Sequence, residues 1–141
     1  MTTKDTAWLT IPSIKCIGPA RWKKVFAACG QDPERALNAE RALLLSCMPG
    51  DTADELIKER VRVDISRLVK DMEASDIQFI HIQDERYPKL LREIHDPPLV
   101  LFYLGTLPAP DALLVSIIGT RKMSYYGKSV TEQIVSTLTP I

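Results

Sequence analysis

Residues 113–127 read LLVSIIGTRKMSYYG: an apolar, β-rich run breaks into Gly119-Thr120-Arg121, and a helix-like pattern follows. A strand that turns through glycine into a helix N-terminus lets backbone N–H groups receive an anion. Gly119 permits a sharp turn and close backbone approach. Arg121 carries a planar, permanently charged fork suited to phosphate oxygens. Lys122 adds a second cation, Thr120 and Ser124 add hydroxyls, and Gly127 keeps the first helical turn uncrowded. Gly119 and Gly127 stand eight apart, so this is neither a dinucleotide-binding glycine fingerprint nor a Walker loop. Two readings stay open: a phosphate site built from Gly119, Thr120, Arg121, Lys122 and Ser124, or an ordinary turn with Arg121 in solvent.

A second candidate is IKCIGPARWKK, residues 14–24. An apolar-Gly-Pro turn entering a basic helix resembles the hairpin of helix-hairpin-helix modules, which offer backbone N–H groups to DNA phosphates. Gly18, Arg21 and Lys23 are its candidate contacts. Such hairpins bracket an apolar residue with two glycines, but Cys16 stands where the first is expected. A cysteine resists positive φ and crowds an approaching phosphate. Packing or protein interaction is therefore the better expectation for this module.

The remaining polar residues give no catalytic constellation. No nucleophile lies beside an evident base, and Asp84, His95 and Asp96 flank turns, where capping and solvation explain them. Cys16, Cys29 and Cys47 are widely spaced, and His81 and His95 are isolated, so no metal site or cofactor is expected. The cysteines read as small hydrophobes in a reducing compartment. Lys plus Arg equals Asp plus Glu at 18 each, so no global basic field advertises nucleic acid. The start, MTTKDTAWLT, lacks an apolar core of signal-peptide length, and apolar runs are strand-sized; a cytoplasmic protein without a membrane partner is expected.

The elements that must position these residues begin with helices. Gly18 and Pro19 start one whose face is Trp22, Val25, Phe26 and Cys29, ended by Gly30 in a left-handed cap. Asp32-Pro33 starts another, and NAERALLLSCM a further short one, closed by Pro49-Gly50. A capping box of Thr52 and Glu55 then predicts one long helix with the stripe Ile57, Val61, Ile65, Leu68 and Met72. After Ser75 extended structure is expected: IQFIHI (77–82), buried on both faces, LVLFYLG (99–105) and LLVSIIG (113–119). YPKLLREI gives a helical turn, Pro108 to Asp111 a turn, and residues 125–138 a final helix capped by Ser124, with Val130, Ile134, Val135 and Leu138 inward. The chain thus reads as α/β in class: an all-helical module over 1–74, then the opening of an α/β domain over 75–141.

Three stretches together resemble the DprA/Smf family of DNA-processing proteins. DERYPKLLREIHDPPLVLFYLG (84–105) is similar to its Tyr-Pro-x-x-Leu, Asp-Pro-Pro and Leu-x-x-x-Gly signature; VSIIGTRKMSYYG (115–127) is similar to its Gly-Ser/Thr-Arg motif. The leading helices resemble its N-terminal sterile-alpha-motif-like or helix-hairpin-helix module.

The resemblance implies single-stranded DNA as ligand, bound by an extended Rossmann-like domain with a parallel sheet. It implies protection of incoming DNA in natural transformation, loading of a RecA-type recombinase, a homodimer, no cofactor and no catalysis. It makes Arg121 the phosphate contact, with Gly119, Thr120 and Ser124 shaping its pocket. The chain departs from the pattern at Cys16 and at Leu104, where a basic residue is expected. It also matches only the front of the pattern, so a truncated Rossmann-like domain, and folding of the helical half alone, are expected. Two rival readings remain: a Rossmann-like nucleotide phosphoribohydrolase using the same turn, and a helical interaction module with a disordered tail.

Overall fold

Thr2 opens the first helix in the computed structural model, which describes residues 2–109 and 112–138. Its hydroxyl accepts from the Asp5 N–H at 3.1 Å while the Asp5 carboxylate accepts from the Thr2 N–H at 2.7 Å. This reciprocal capping box starts α1 (Thr3–Thr10), a helix the pattern of apolar residues does not announce. A 3₁₀ turn, Ile11–Ser13, follows.

Helix α2 (Pro19–Ala28) has Gly18 at its N-cap, Pro19 at its first position, and Trp22, Val25 and Phe26 buried as the spacing predicts. It ends through two consecutive left-handed residues, Gly30 at φ 68° and Gln31 at φ 63°, with the Gln31 N–H donating to the Phe26 carbonyl at 2.8 Å. Asp32 caps α3 (Pro33–Leu37), accepting from the Arg35 N–H at 3.0 Å. Helix α4 (Arg41–Cys47) comes next.

The single long helix expected after Thr52 is instead two, α5 (Gly50–Arg60) and α6 (Ile65–Ala74). Thr52 is not a cap: Pro49 holds the N-cap position, and Ala53 and Leu56 are the buried face. The break falls at residues 61–64, where Val61 is 78% exposed. Asp64 begins α6 there, its side chain accepting from the Arg67 N–H at 3.0 Å, which restores a donor the broken helix would otherwise leave unpaired.

Strands β1 (Ile77–His81) and β2 (Val100–Leu104) pair antiparallel, with Phe79 opposite Phe102. The short helix α7 (Lys89–Arg92) lies in their connection. Gln78 is exposed, but Ile80 on the same face is buried and Ile77, Phe79 and His81 on the opposite face are half-buried, so β1 is covered on both faces except at Gln78. Gly105, at φ 73°, turns the chain out of β2, which is what the signature glycine there is needed for.

The sheet expected to be parallel is thus a two-stranded antiparallel ribbon among the described residues. Residues 112–120 carry no strand, and Leu113 and Ile118 are more than nine-tenths exposed. β-propensity alone does not make a strand: a parallel strand needs neighbours for its N–H and C=O groups and cover on both faces. Of the turn expected over Pro108 to Asp111, Pro110 and Asp111 lie outside the described residues.

The core of the larger unit forms where Trp8 is sandwiched between Phe26 (centroids 5.0 Å) and His81 (4.7 Å). Ile11, Val25, Leu44 and Leu56 pack in the same cluster, and Phe79, Ile82, Leu99 and Val100 bring the ribbon onto it. The ribbon thus shares one core with the helices. The compact units are Met1–Pro110 and Asp111–Ile141, so a boundary at 74/75 falls inside the first. In the second unit, α8 (Tyr125–Leu138) spans the predicted range. Its expected inward residues Ile134, Val135 and Leu138 are 38–53% exposed, and Val130 is half-buried.

Candidate nucleic-acid interface

The start of α8 assembles most of the residues singled out above. Ser124 is its N-cap: the hydroxyl accepts from the Gly127 N–H at 3.1 Å, and the Ser124 carbonyl accepts from the Lys128 N–H at 3.0 Å. The Tyr125 and Tyr126 N–H groups at the same helix end have no acceptor among the described residues, as first-turn donors commonly do. The Thr120 hydroxyl donates to the Lys122 carbonyl at 2.8 Å, folding the turn that precedes the cap. Arg121 and Lys122 are exposed and form no ion pair among the described residues.

Two glycine roles need revision. Gly119 is not among the left-handed glycines, and a Cβ there would meet nothing within 4 Å, so the turn does not require glycine for its own geometry. What Gly119 leaves is open backbone. A Cβ at Gly127 would lie 3.5 Å from Ser124 Oγ, an ordinary contact, so glycine is not needed to keep that turn uncrowded.

A groove of about 480 Å³ runs along this end of the helix, lined among others by Ile117, Gly119, Thr120, Ser124, Gly127 and Thr131. Beside it stand two aromatic side chains that the sequence reading passed over, Tyr125 and Tyr126, 89% and 77% exposed. Their signal is a Tyr-Tyr pair directly after a cap serine, next to two cations. Aromatic faces interleaved with cations and free N–H groups suit a single strand, whose bases stack while its phosphates are neutralised.

The second candidate is built differently. The amides of Lys15 and Cys16 both donate to Glu59 Oε2, at 2.7 and 3.2 Å. A carboxylate from α5 thus already occupies two amides of this turn. Those bonds hold the Glu59 carboxyl below its ordinary range, so it stays charged. Cys16 responds oppositely: burial first, then the Glu59 charge, push its thiol up to about 11. Gly18 has a negative φ with open space beside it. Arg21 and Lys23 are exposed on α2, without an ion pair among the described residues. This turn has surface cations, and two of its amides, those of Lys15 and Cys16, are already taken by Glu59.

The Tyr-Pro and Asp-Pro-Pro stretches are structural. Tyr87 is fully buried and donates from its phenol to the Pro98 carbonyl at 2.7 Å. Arg92 lies over its ring, 5.6 Å from the centroid, and donates to the Asp84 carbonyl at 2.8 Å. Arg86 grips both Asp84 carboxylate oxygens, at 3.1 and 2.8 Å, and holds that carboxyl down at about 2. Among the described residues no group of three His, Cys, Asp or Glu side chains is placed to hold a metal, and no helix is long and apolar enough to cross a membrane.

The family model for DNA recombination-mediator protein A matches residues 78–140. Protein Smf of Synechocystis is 29% identical over 96% of this chain and 35% of its own length. DNA processing protein DprA of Streptococcus pneumoniae is 31% identical over 72% of this chain and 36% of its own. DNA processing protein DprA of Bacillus subtilis is 31% identical over 52% of this chain and 25% of its own. The matched stretch is thus about a third or less of each relative. No solved structure matches the chain.

Proposed function

The chain belongs to the DprA/Smf family of DNA-processing proteins, and we propose that within it this chain binds single-stranded DNA through the N-terminal end of α8. The observation that carries the reading is the pairing of Arg121 and Lys122, which form no ion pair among the described residues, with two exposed tyrosines on one helix start. Arg121 meets a phosphate; the Tyr125 and Tyr126 amides and the Ser124 and Thr120 hydroxyls share its oxygens. Tyr125 and Tyr126 take bases by stacking. Residues 75–141 are then the opening of a Rossmann-like domain, a reading supported by the family model beginning at residue 78.

On this reading the chain's role is that of a recombination mediator: it protects incoming strands in natural transformation and hands them to a RecA-type recombinase, as a homodimer in the cytoplasm. It does so by charge, stacking and position, without a bond made or broken. The experiment is a salt titration of binding to an oligothymidylate by fluorescence anisotropy. Arg121→Ala weakens binding and lowers the slope of log affinity against log salt by about 0.7, the share of one single-strand phosphate. An unchanged slope and affinity would remove Arg121 from the site.

A further inference from the structure

Between α2 and the segment that follows α7 lies a cleft of about 230 Å³ that the α8 site does not use. It is smaller than the roughly 300–1,000 Å³ of drug-sized pockets, so it takes a single ring-sized group. Phe26, Ile82, Ile94 and Leu99 supply apolar wall, and Lys23 and Arg92 supply two positive charges against the single carboxylate of Asp96. His95 lies 3.2 Å from that carboxylate. Arg92 is already positioned by the Tyr87 ring and the Asp84 carbonyl, whereas Lys23 forms no ion pair among the described residues.

Gln31 stands at the same cleft in the left-handed region, φ 63°, where a residue with a side chain is strained. Its carbonyl is held across the gap by Gln83 Nε2 at 2.7 Å, and its N–H by the Phe26 carbonyl. The backbone is pinned on both sides, while the Gln31 side-chain amide makes no hydrogen bond among the described residues. Local strain here fixes a free donor and acceptor beside an apolar slot with a basic rim.

We propose that this cleft receives one unstacked nucleobase of a single strand, with Lys23 and Arg92 on its phosphate and the Gln31 amide on its edge. It extends the single-strand binding proposed for α8 and rests on that reading for its ligand, but it uses none of the same residues. An apolar slot with net positive charge also suits an acidic peptide side chain. The neighbouring amides of Gln31 and Gln83, able to donate and accept, favour a base edge.

The test uses the whole chain with three probes: thymidine monophosphate, an oligothymidylate, and the same oligonucleotide with abasic positions. Thymidine monophosphate at millimolar concentration should shift the NMR amide signals of Lys23, Gln31 and Arg92. Lys23→Gln and the cleft-filling Ile94→Trp should each weaken oligothymidylate binding about fivefold or more, the worth of one stacked base, and erase its preference over the abasic strand. Lys23→Gln should also lower the salt slope by about 0.7. Unchanged melting temperatures separate these losses from misfolding.

Parent-like binding by folded Lys23→Gln and Ile94→Trp overturns the cleft, as do signals moved by an acidic peptide but not by the nucleotide. If Arg121→Ala alone weakens the strand, the α8 reading stands and the cleft falls. If the cleft variants alone weaken it, the reverse holds. No response to any nucleotide probe overturns both.

Discussion

The Tyr87 hydroxyl donates to the Pro98 carbonyl at 2.7 Å, joining two signature stretches eleven residues apart in the chain. The bond closes the loop that carries α7, and it does so from a fully buried ring. Tyr87→Phe keeps the ring and deletes the donor, leaving a part-buried carbonyl unpaired. It should lower stability by about 1 kcal/mol in urea unfolding. Tyr87→Ala also empties the ring's site and should cost about 3–5 kcal/mol. Equal losses in the two variants would assign the whole effect to the hydroxyl and refute the packing role.

His81 closes the sandwich on Trp8, and its Nδ1 is buried without a partner. Burial moves its imidazole below the ordinary value of about 6.5, against the opposing pull of Asp84 and Asp5 and with Arg86 adding to it. The unfolded chain therefore takes the proton first as pH falls. The contribution of neutral His81 is complete above about pH 7.5 and is lost as pH drops through 6.5 towards the lower folded value. His81→Phe preserves a stacked ring and should flatten stability between about pH 7.5 and 5.5. Parallel pH profiles for the two proteins would show that His81 is not the titrating group.

What the chain announces in its own order is whatever is decided locally. Gly30 and Asp32 bound α2 and α3 as read, and Ser124 starts α8, because each cap depends on residues within four positions. The break after Arg60 was hidden, since Ile57, Val61 and Ile65 keep helical spacing straight across it and only Asp64 marks the restart. Residues 113–118 show the converse failure, with strand propensity and no strand beside them among the described residues. The Glu59 contact spans more than forty residues, and no pattern near Cys16 foretells it. Tyr125 and Tyr126 read as part of a helix until their exposure put them beside Arg121.

Asp84 offers an acid-side counterpart to His81. The Arg86 guanidinium, first of its partners, holds the carboxyl at about 2 against an ordinary 3.8. Its folded value is depressed, so its contribution is present above about pH 4 and lost as pH falls towards 2. Asp84→Asn should be less stable than the parent at pH 7 in chemical denaturation, with the gap closing on acidification through that window. A gap of constant size would place the effect in loop geometry, since Asp84 also accepts the Arg86 amide at 2.9 Å.

Glu59 turns an anion-receiving loop into an internal joint, and its removal should be felt first at Cys16. Glu59→Gln keeps an oxygen for the Lys15 and Cys16 amides but removes the charge that strengthens both bonds. Hydrogen exchange at those two amides should quicken while exchange in α2 stays slow. The Cys16 thiol, now at about 11 through burial and the nearby carboxylate, should drop and react faster with iodoacetamide near pH 8. Cys29, raised by burial and away from Glu59, should not change its rate. Mass spectrometry of each alkylated peptide reads the two sites separately. Equal acceleration at both cysteines would mean that the variant loosens the core instead of uncapping the loop.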